Sequence, residues 1–127
     1  MGQMVTFKRP DGKDCNGYLA SPAGGDKAPG VVVIQEWWGL NDQIKGIAER
    51  LATLGYRALV PDLYKGKLAL DMAEAKHLMD SLNFSDAATQ DVRGGAGRAV
   101  GFEGPACTSP AFCCWPPRSC LLATCWS

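Results

Sequence analysis

The sequence predicts an α/β fold: short hairpin strands at the N-terminus, a strand–helix–strand unit behind them, and two further helices. Three observations carry this. The run Gly30-Val-Val-Val-Ile34 is apolar and mostly β-branched, too short to cross a membrane and suited to a buried parallel strand. A stretch with helical periodicity follows it, and a second apolar run, Tyr56-Arg-Ala-Leu-Val60, follows that. Strand, helix and strand within about 30 residues make a βαβ unit with a right-handed crossover.

Each element has a local reason. Residues 4–8 and 15–20 read as short strands, and Pro10-Asp-Gly-Lys13 between them is a turn, with Pro fixing φ and Gly tolerating positive φ. Together they predict an antiparallel hairpin at a sheet edge. A loop rich in Gly, Pro and Ala spans 21–29, and the apolar strand covers 31–35. Asn41 is a good N-cap. Ile44, Ile47, Ala48, Leu51 and Leu54 recur at helical spacing, and Gly55 sits where a helix-ending glycine belongs, which predicts a helix over 42–54. The second strand, 56–60, ends at Pro61-Asp62 and leads into a polar loop to Lys67. A helix is expected over 71–82, with Met72, Ala75, Met79 and Leu82 as its core stripe and Asp71 at the positive end of its dipole. Ser85 is the expected cap of a third helix, 86–93.

At Gly94 the character of the chain changes. Gly94, Gly95 and Gly97 would each cost a helix about 1 kcal/mol relative to Ala. Beyond residue 100 only Glu103 and Arg118 are charged, no Val or Ile occurs, and Pro105, Pro110, Pro116 and Pro117 interrupt any regular element. The chain therefore divides into a partial α/β domain, 1–94, and a Cys-, Pro- and Trp-rich tail, 95–127, expected to be disordered. Of the 6 cysteines only Cys15 precedes the tail, whereas a disulfide framework would staple a whole domain. The spacings hold no CxxC pair, and adjacent Cys113 and Cys114 suit one tetrahedral site poorly. No metal is expected, and a zinc-binding tail is the lesser alternative.

Several function classes are excluded or disfavoured. Lys plus Arg equals Asp plus Glu at 13 each, which argues against a nucleic-acid footprint. No apolar run approaches the length of a bilayer crossing, and the first residues lack a signal-peptide pattern, so no membrane association and a cytoplasmic location are expected. No phosphate-binding loop of the G-x-x-x-x-G-K-[ST] or G-x-G-x-x-G type is present, and Arg93-Gly-Gly-Ala-Gly-Arg98 does not follow a strand, so no cofactor is expected. No G-x-S-x-G or G-x-C-x-G elbow occurs, and the single histidine, His77, reads as a solvated residue of the middle helix. What remains is the end of the first apolar strand: Gln35, Glu36, Trp37 and Trp38, where open α/β sheets place their sites. The alternative there is a plain core strand with a decorated loop.

Ala28-Pro-Gly-Val-Val-Val-Ile-Gln-Glu-Trp-Trp-Gly-Leu-Asn41 and Gly55-Tyr-Arg-Ala-Leu-Val-Pro-Asp-Leu-Tyr-Lys-Gly-Lys67 resemble the dienelactone hydrolase (carboxymethylenebutenolidase) family. Gln90-Asp-Val-Arg-Gly94 resembles the helix that leads into that family's nucleophile strand, so the likeness covers roughly residues 1–94. It implies an α/β-hydrolase fold, truncated here, and hydrolysis of an enol-lactone or small ester by a Cys-Asp-His triad. By resemblance Glu36 assists the nucleophile, the backbone N–H of Trp37 contributes to the oxyanion hole, and Trp38 walls the pocket. Asp62 reads as structural, because the family's acid lies further along. The departure comes where the family shows a Gly-x-Cys-x-Gly-Gly elbow: this chain reads Gly101-Phe-Glu-Gly-Pro-Ala-Cys-Thr108. An out-of-frame tail, shifted near residues 94–98, is the expectation. Two readings follow: a dienelactone-hydrolase-like enzyme taking a small ester or lactone, or an inactive fragment lacking nucleophile and triad histidine.

Overall fold

Seven paired positions join β1 (Gly2–Lys8) to β2 (Asp14–Ala20) as an antiparallel hairpin. Its turn closes by hydrogen bonds from Arg9 N to Lys13 O (2.8 Å) and from Gly12 N to Arg9 O (3.0 Å). A computed structural model describes the chain over residues 2–101, together with the backbone of residues 121–124. β3 (Gly30–Ile34) and β4 (Arg57–Pro61) pair in parallel, with Val32 opposite Leu59, and β2 pairs antiparallel with β4. The mixed sheet has the order β1-β2-β4-β3-β5, where β5 is Leu121–Thr124.

Helix α1 (Asp42–Thr53) crosses between β3 and β4. Asn41 Oδ1 accepts from Ile44 N (3.1 Å), as the sequence predicts. At the other end Gly55 N donates to Ala52 O and Tyr56 N to Leu51 O, with Gly55 at φ 95°, so a glycine-ended Schellman motif stops the helix. Ile44, Ala48 and Ala52 are buried against Val31, Val33, Ala58 and Val60 of the sheet. Leu54, read from the sequence as part of this stripe, is 71% exposed: it is the C-cap, and the chain has already turned away.

α2 (Met72–Ser81) starts as expected, with Asp71 Oδ1 accepting from Glu74 N (2.8 Å), but its packed face is rotated from the predicted one. Ala75 is buried and Leu78 and Leu82 pack toward Leu63 and Tyr64, whereas Met72 is 66% exposed in the first turn. Asn83, not Ser85, caps the next segment, its Oδ1 accepting from Asp86 N (3.0 Å). That segment does not end at residue 93. It continues from the short α3 (Phe84–Asp86) through a π-helical stretch (Ala87–Val92) into α4 (Arg93–Ala99). The glycines that argue against a helix are what lets this one sit down. A Cβ at Gly94 would lie 2.8 Å from Lys8 O, and one at Gly95 would lie 2.8 Å from Leu59 Cδ2. Close approach to the sheet overrides propensity here. On that face Phe7, Cys15, Leu19, Leu59 and Ala99 form a second core cluster, opposite the α1 side.

One buried ion cluster ties the hairpin turn to this helix. The Arg9 side chain is 5% exposed. Its Nη1 donates to Asp91 Oδ1 (3.1 Å), its Nη2 to Asp86 (2.9 Å) and Asp11 (2.8 Å), and its Nε to Asp11 (3.2 Å). Every guanidinium nitrogen thus has a carboxylate partner. Asp11 N adds a bond to Gln90 Oε1 (2.9 Å). Burial pushes the Asp91 carboxyl above the usual range, against the pull of Arg9.

The sequence predicts no regular element in the tail, yet Leu121–Thr124 form β5, parallel to β3 with Val31 opposite Leu121 and Ile34 opposite Thr124. The physical reason is the edge that β3 would otherwise present; Leu-Leu-Ala-Thr brings no charge or proline to oppose pairing with it. The expectation of disorder for the rest of the tail falls on residues outside the described ones, as do the five tail cysteines.

Candidate active site

Because β3 and β4 run parallel, both release the chain at the same edge of the sheet. Gln35 and Asp62, the first residues past the two strands, are both buried. From Gln35 the backbone enters a tight turn over Glu36–Gly39, closed by Gly39 N donating to Glu36 O (3.1 Å). Gly39 has φ 97°, and a Cβ there would lie 2.9 Å from Lys67 O, so the turn needs glycine twice over. Asn41 N donates to Gly39 O (2.9 Å), and α1 begins at once.

A strap made of residues 62–69 clamps this turn. Leu63 N donates to Gln35 Oε1 (3.1 Å), Gly66 N to Asp62 Oδ2 (2.7 Å), and Ala69 N to Trp38 O (3.1 Å). Lys65 (φ 54°) and Gly66 (φ 89°) take left-handed conformations to bend the strap back. Asp62 thus acts as a loop-fixing acceptor. The sequence shows Asp62 and Gly66 but not their bond, and Gln35 carried no signal of its own beyond its neighbours.

Glu36 and Trp37, the two residues singled out for catalysis, come together in this one turn. Glu36 is half-buried. The backbone N–H of Trp37 has no hydrogen-bond acceptor among the described residues. Trp38 stacks edge-on against Trp37, with ring centroids 5.4 Å apart and planes at 63°. Two cavities, of about 250 and 260 Å³, flank the loop after β4; Glu36, Trp37 and Trp38 line neither. His77 is exposed on α2. Cys15 is buried on β2, in the second core cluster, and burial, then the nearby Asp91 charge, push its thiol up to about 12, so it is protonated at neutral pH. No cluster of three or more His, Cys, Asp or Glu residues suited to a metal ion occurs among the described residues.

A mixed sheet of this order, with a carboxylate and a backbone donor that has no acceptor among the described residues where β3 ends, invites comparison with known proteins. The model of the Dienelactone hydrolase family matches residues 15–99. The chain belongs to the dienelactone hydrolase family. The Protein usf of Aquifex pyrophilus is 45% identical over 85 residues, which are 65% of this chain and 36% of that protein. The solved structure of m3DLH is 33% identical with a TM-score of 0.63, covering 81% of this chain and 44% of its own. A dienelactone hydrolase-like promiscuous phosphotriesterase, P91 from metagenomic libraries, superposes with a TM-score of 0.56 at 24% identity over 80% of this chain and 44% of its own, which speaks for the fold alone. This dienelactone hydrolase relative therefore spans about a third to a half of the length of the proteins it matches. No helix among its described residues is long and apolar enough to cross a membrane.

Proposed function

We propose that this chain carries the glutamate and oxyanion-donor half of a site that hydrolyses a small ester or lactone with a thiol nucleophile. The observation that supports this best is the Glu36–Gly39 turn, which holds a carboxylate beside a backbone N–H with no acceptor among the described residues, at the carboxyl end of β3. In such a reaction a thiolate sulfur attacks the carbonyl carbon, and the carbonyl electron pair moves onto oxygen. The C–O bond to the leaving oxygen then breaks, that oxygen takes a proton, and water hydrolyses the thioester to return the thiol. In this reading the Trp37 N–H stabilises the oxyanion, a donor typically worth about 3 kcal/mol. Glu36 exchanges the proton that sets the thiol's ionisation. Trp38 braces Trp37 edge-on, ring centroid to ring centroid 5.4 Å. The triad's cysteine, aspartate and histidine have no counterpart among residues 2–101, where the thiol of Cys15 is buried and His77 is exposed on α2.

A second reading, an inactive fragment with a non-homologous, out-of-frame tail, is favoured by one observation: the family match ends at residue 99, where the charge-poor tail begins. Coding DNA in which neither alternative frame after that point encodes a Gly-x-Cys-x-Gly elbow excludes the frameshift. Two assays test the half-site. The purified chain is expected to show no turnover of p-nitrophenyl acetate; turnover lost in Glu36→Ala but kept in Cys107→Ser would mean that a complete site is already present. A chimera joining residues 1–99 to the remainder of the Aquifex pyrophilus relative is expected to hydrolyse the same ester, with kcat falling roughly 100-fold on Glu36→Ala. An active chimera indifferent to Glu36 removes the proposed role.

A further inference from the structure

We propose that Gly39 is a positioning residue for the oxyanion donor: it aims the Trp37 N–H by holding the carbonyl of the same peptide unit. This rests on the hydrolytic reading above and adds to it a residue that acts only through Trp37.

One peptide unit carries both the Glu36 carbonyl and the Trp37 N–H. No cis peptide occurs among the described residues, so the unit is planar and trans, and the two groups point in opposite directions. Gly39 N donates to Glu36 O (3.1 Å), which turns the carbonyl into the bend. The Trp37 N–H therefore points out of the bend, where it meets no acceptor among the described residues. No other backbone–backbone hydrogen bond among the described residues reaches either edge of this unit. Turned over, the unit would present a carbonyl oxygen to a developing oxyanion, a repulsive contact in place of a donor.

Gly39 can hold the plane because it is itself held from two sides. On one side its carbonyl accepts from Asn41 N (2.9 Å), and Asn41 caps α1 through Ile44 N (3.1 Å). On the other side lies the strap: Lys67 O is 2.9 Å and Leu68 Cδ2 3.1 Å from where a Cβ on Gly39 would stand. The strap also fastens the residues that flank Glu36 and Trp37, through Leu63 N on Gln35 Oε1 (3.1 Å) and Ala69 N on Trp38 O (3.1 Å). Glu36 and Trp37 are thus suspended between anchored neighbours, and the aim of the donor is set by contacts outside it. Aim decides rate here, since a misplacement of about 1 Å can cost roughly 100-fold.

The test has two arms. In amide hydrogen exchange of the isotopically labelled full chain, the Gly39 N–H is expected to be protected and the Trp37 N–H to exchange fast; Gln35→Leu, which unfastens the turn from the strap, should remove the Gly39 protection. A protected Trp37 N–H, or Gly39 protection that survives Gln35→Leu, overturns the proposal. The second arm uses the chimera of residues 1–99 with the Aquifex pyrophilus relative. There Gly39→Ala is expected to lower kcat roughly 100-fold with KM changed less than about twofold. Gln35→Leu is expected to lower kcat about tenfold at a nearly unchanged urea midpoint, and it decides alone if Gly39→Ala does not fold. Gly46→Ala, on α1, should leave kcat as it is. A merely structural glycine would shift the urea midpoint and leave kcat per folded molecule unchanged, and that outcome overturns the proposal. A chimera that needs Glu36 but keeps its kcat in both Gly39→Ala and Gln35→Leu leaves the hydrolytic reading standing and removes the positioning role. An inactive chimera, or one indifferent to Glu36, removes the reading and this role with it.

Discussion

Arg9 on one side of the sheet, and Gln35 with Asp62 on the other, are all buried polar residues, but they are held in opposite ways. The guanidinium of Arg9 meets three carboxylates and leaves no nitrogen without a partner. Gln35 and Asp62 each bind one backbone N–H and leave one polar atom unmatched. The first arrangement is closed: it fastens the β1–β2 hairpin to the helix over 84–99 and has nothing left to offer a ligand. The second spends half its capacity fixing the strap and leaves the other half unmatched, at the edge where β3 and β4 end. Fully satisfied burial marks a structural fastening, whereas half-satisfied burial leaves polar capacity that the fold itself does not use.

The largest effect expected from this contrast is at Arg9. Arg9→Met strands Asp91 and Asp86 without their cation and is expected to cost about 3–5 kcal/mol, read as a lower urea midpoint at unchanged m. A loss under 1 kcal/mol would mean that the cluster is ornamental. Gly94→Ala, next to the same fastening, drives a methyl to 2.8 Å from Lys8 O. It is expected to destabilise by about 1–2 kcal/mol although alanine is the better helix former. The matching change in α1, Gly46→Ala, meets nothing within 4 Å and should stabilise by up to about 1 kcal/mol. Urea melts of the two variants must therefore move in opposite directions. Gln35→Leu gives up one bond but also removes an unpaired amide, so its expected cost is no more than about 1 kcal/mol; a loss as large as that of Arg9→Met would erase the distinction. The smallest effect is confined to alkaline solution. The folded thiol of Cys15 is raised to about 12 from an ordinary 9.0, so its contribution is complete below about pH 9 and declines as pH rises toward 12. Cys15→Ala should flatten that part of a stability–pH profile and leave neutral pH with only the packing loss.

Much of this fold was legible in the sequence, because its cues were local. The Val run, the Asn41 cap and the Gly55 stop specify the βαβ unit, and all three work as their chemistry suggests. Where the reading failed, the deciding partner was distant in sequence. Gly94 and Gly95 look like helix breakers until Lys8 and Leu59 are seen against them. Met72 fits a helical stripe, but nothing in the sequence says that the stripe's first turn overhangs the core. Glu36 and Trp37 were proposed from a family resemblance at the strand's end; the strap that holds their turn was not legible, since its bonds join Gln35 to Leu63 and Trp38 to Ala69 across some 30 residues.

The pairing of β5 with β3 has a consequence in time. The hairpin and the βαβ unit bring together residues close along the chain, and they can form as soon as those residues exist. Val31 must wait for Leu121, 90 positions later, before its outer edge is closed. Loop closure of that length is entropically slow to reward. Until it happens, a flat row of unpaired backbone groups flanked by Val31, Val32 and Val33 is open to any other strand at hand, including the same edge of a neighbouring chain. An edge that stays unpaired over so long an interval of chain is the part of this sheet most open to edge-to-edge association.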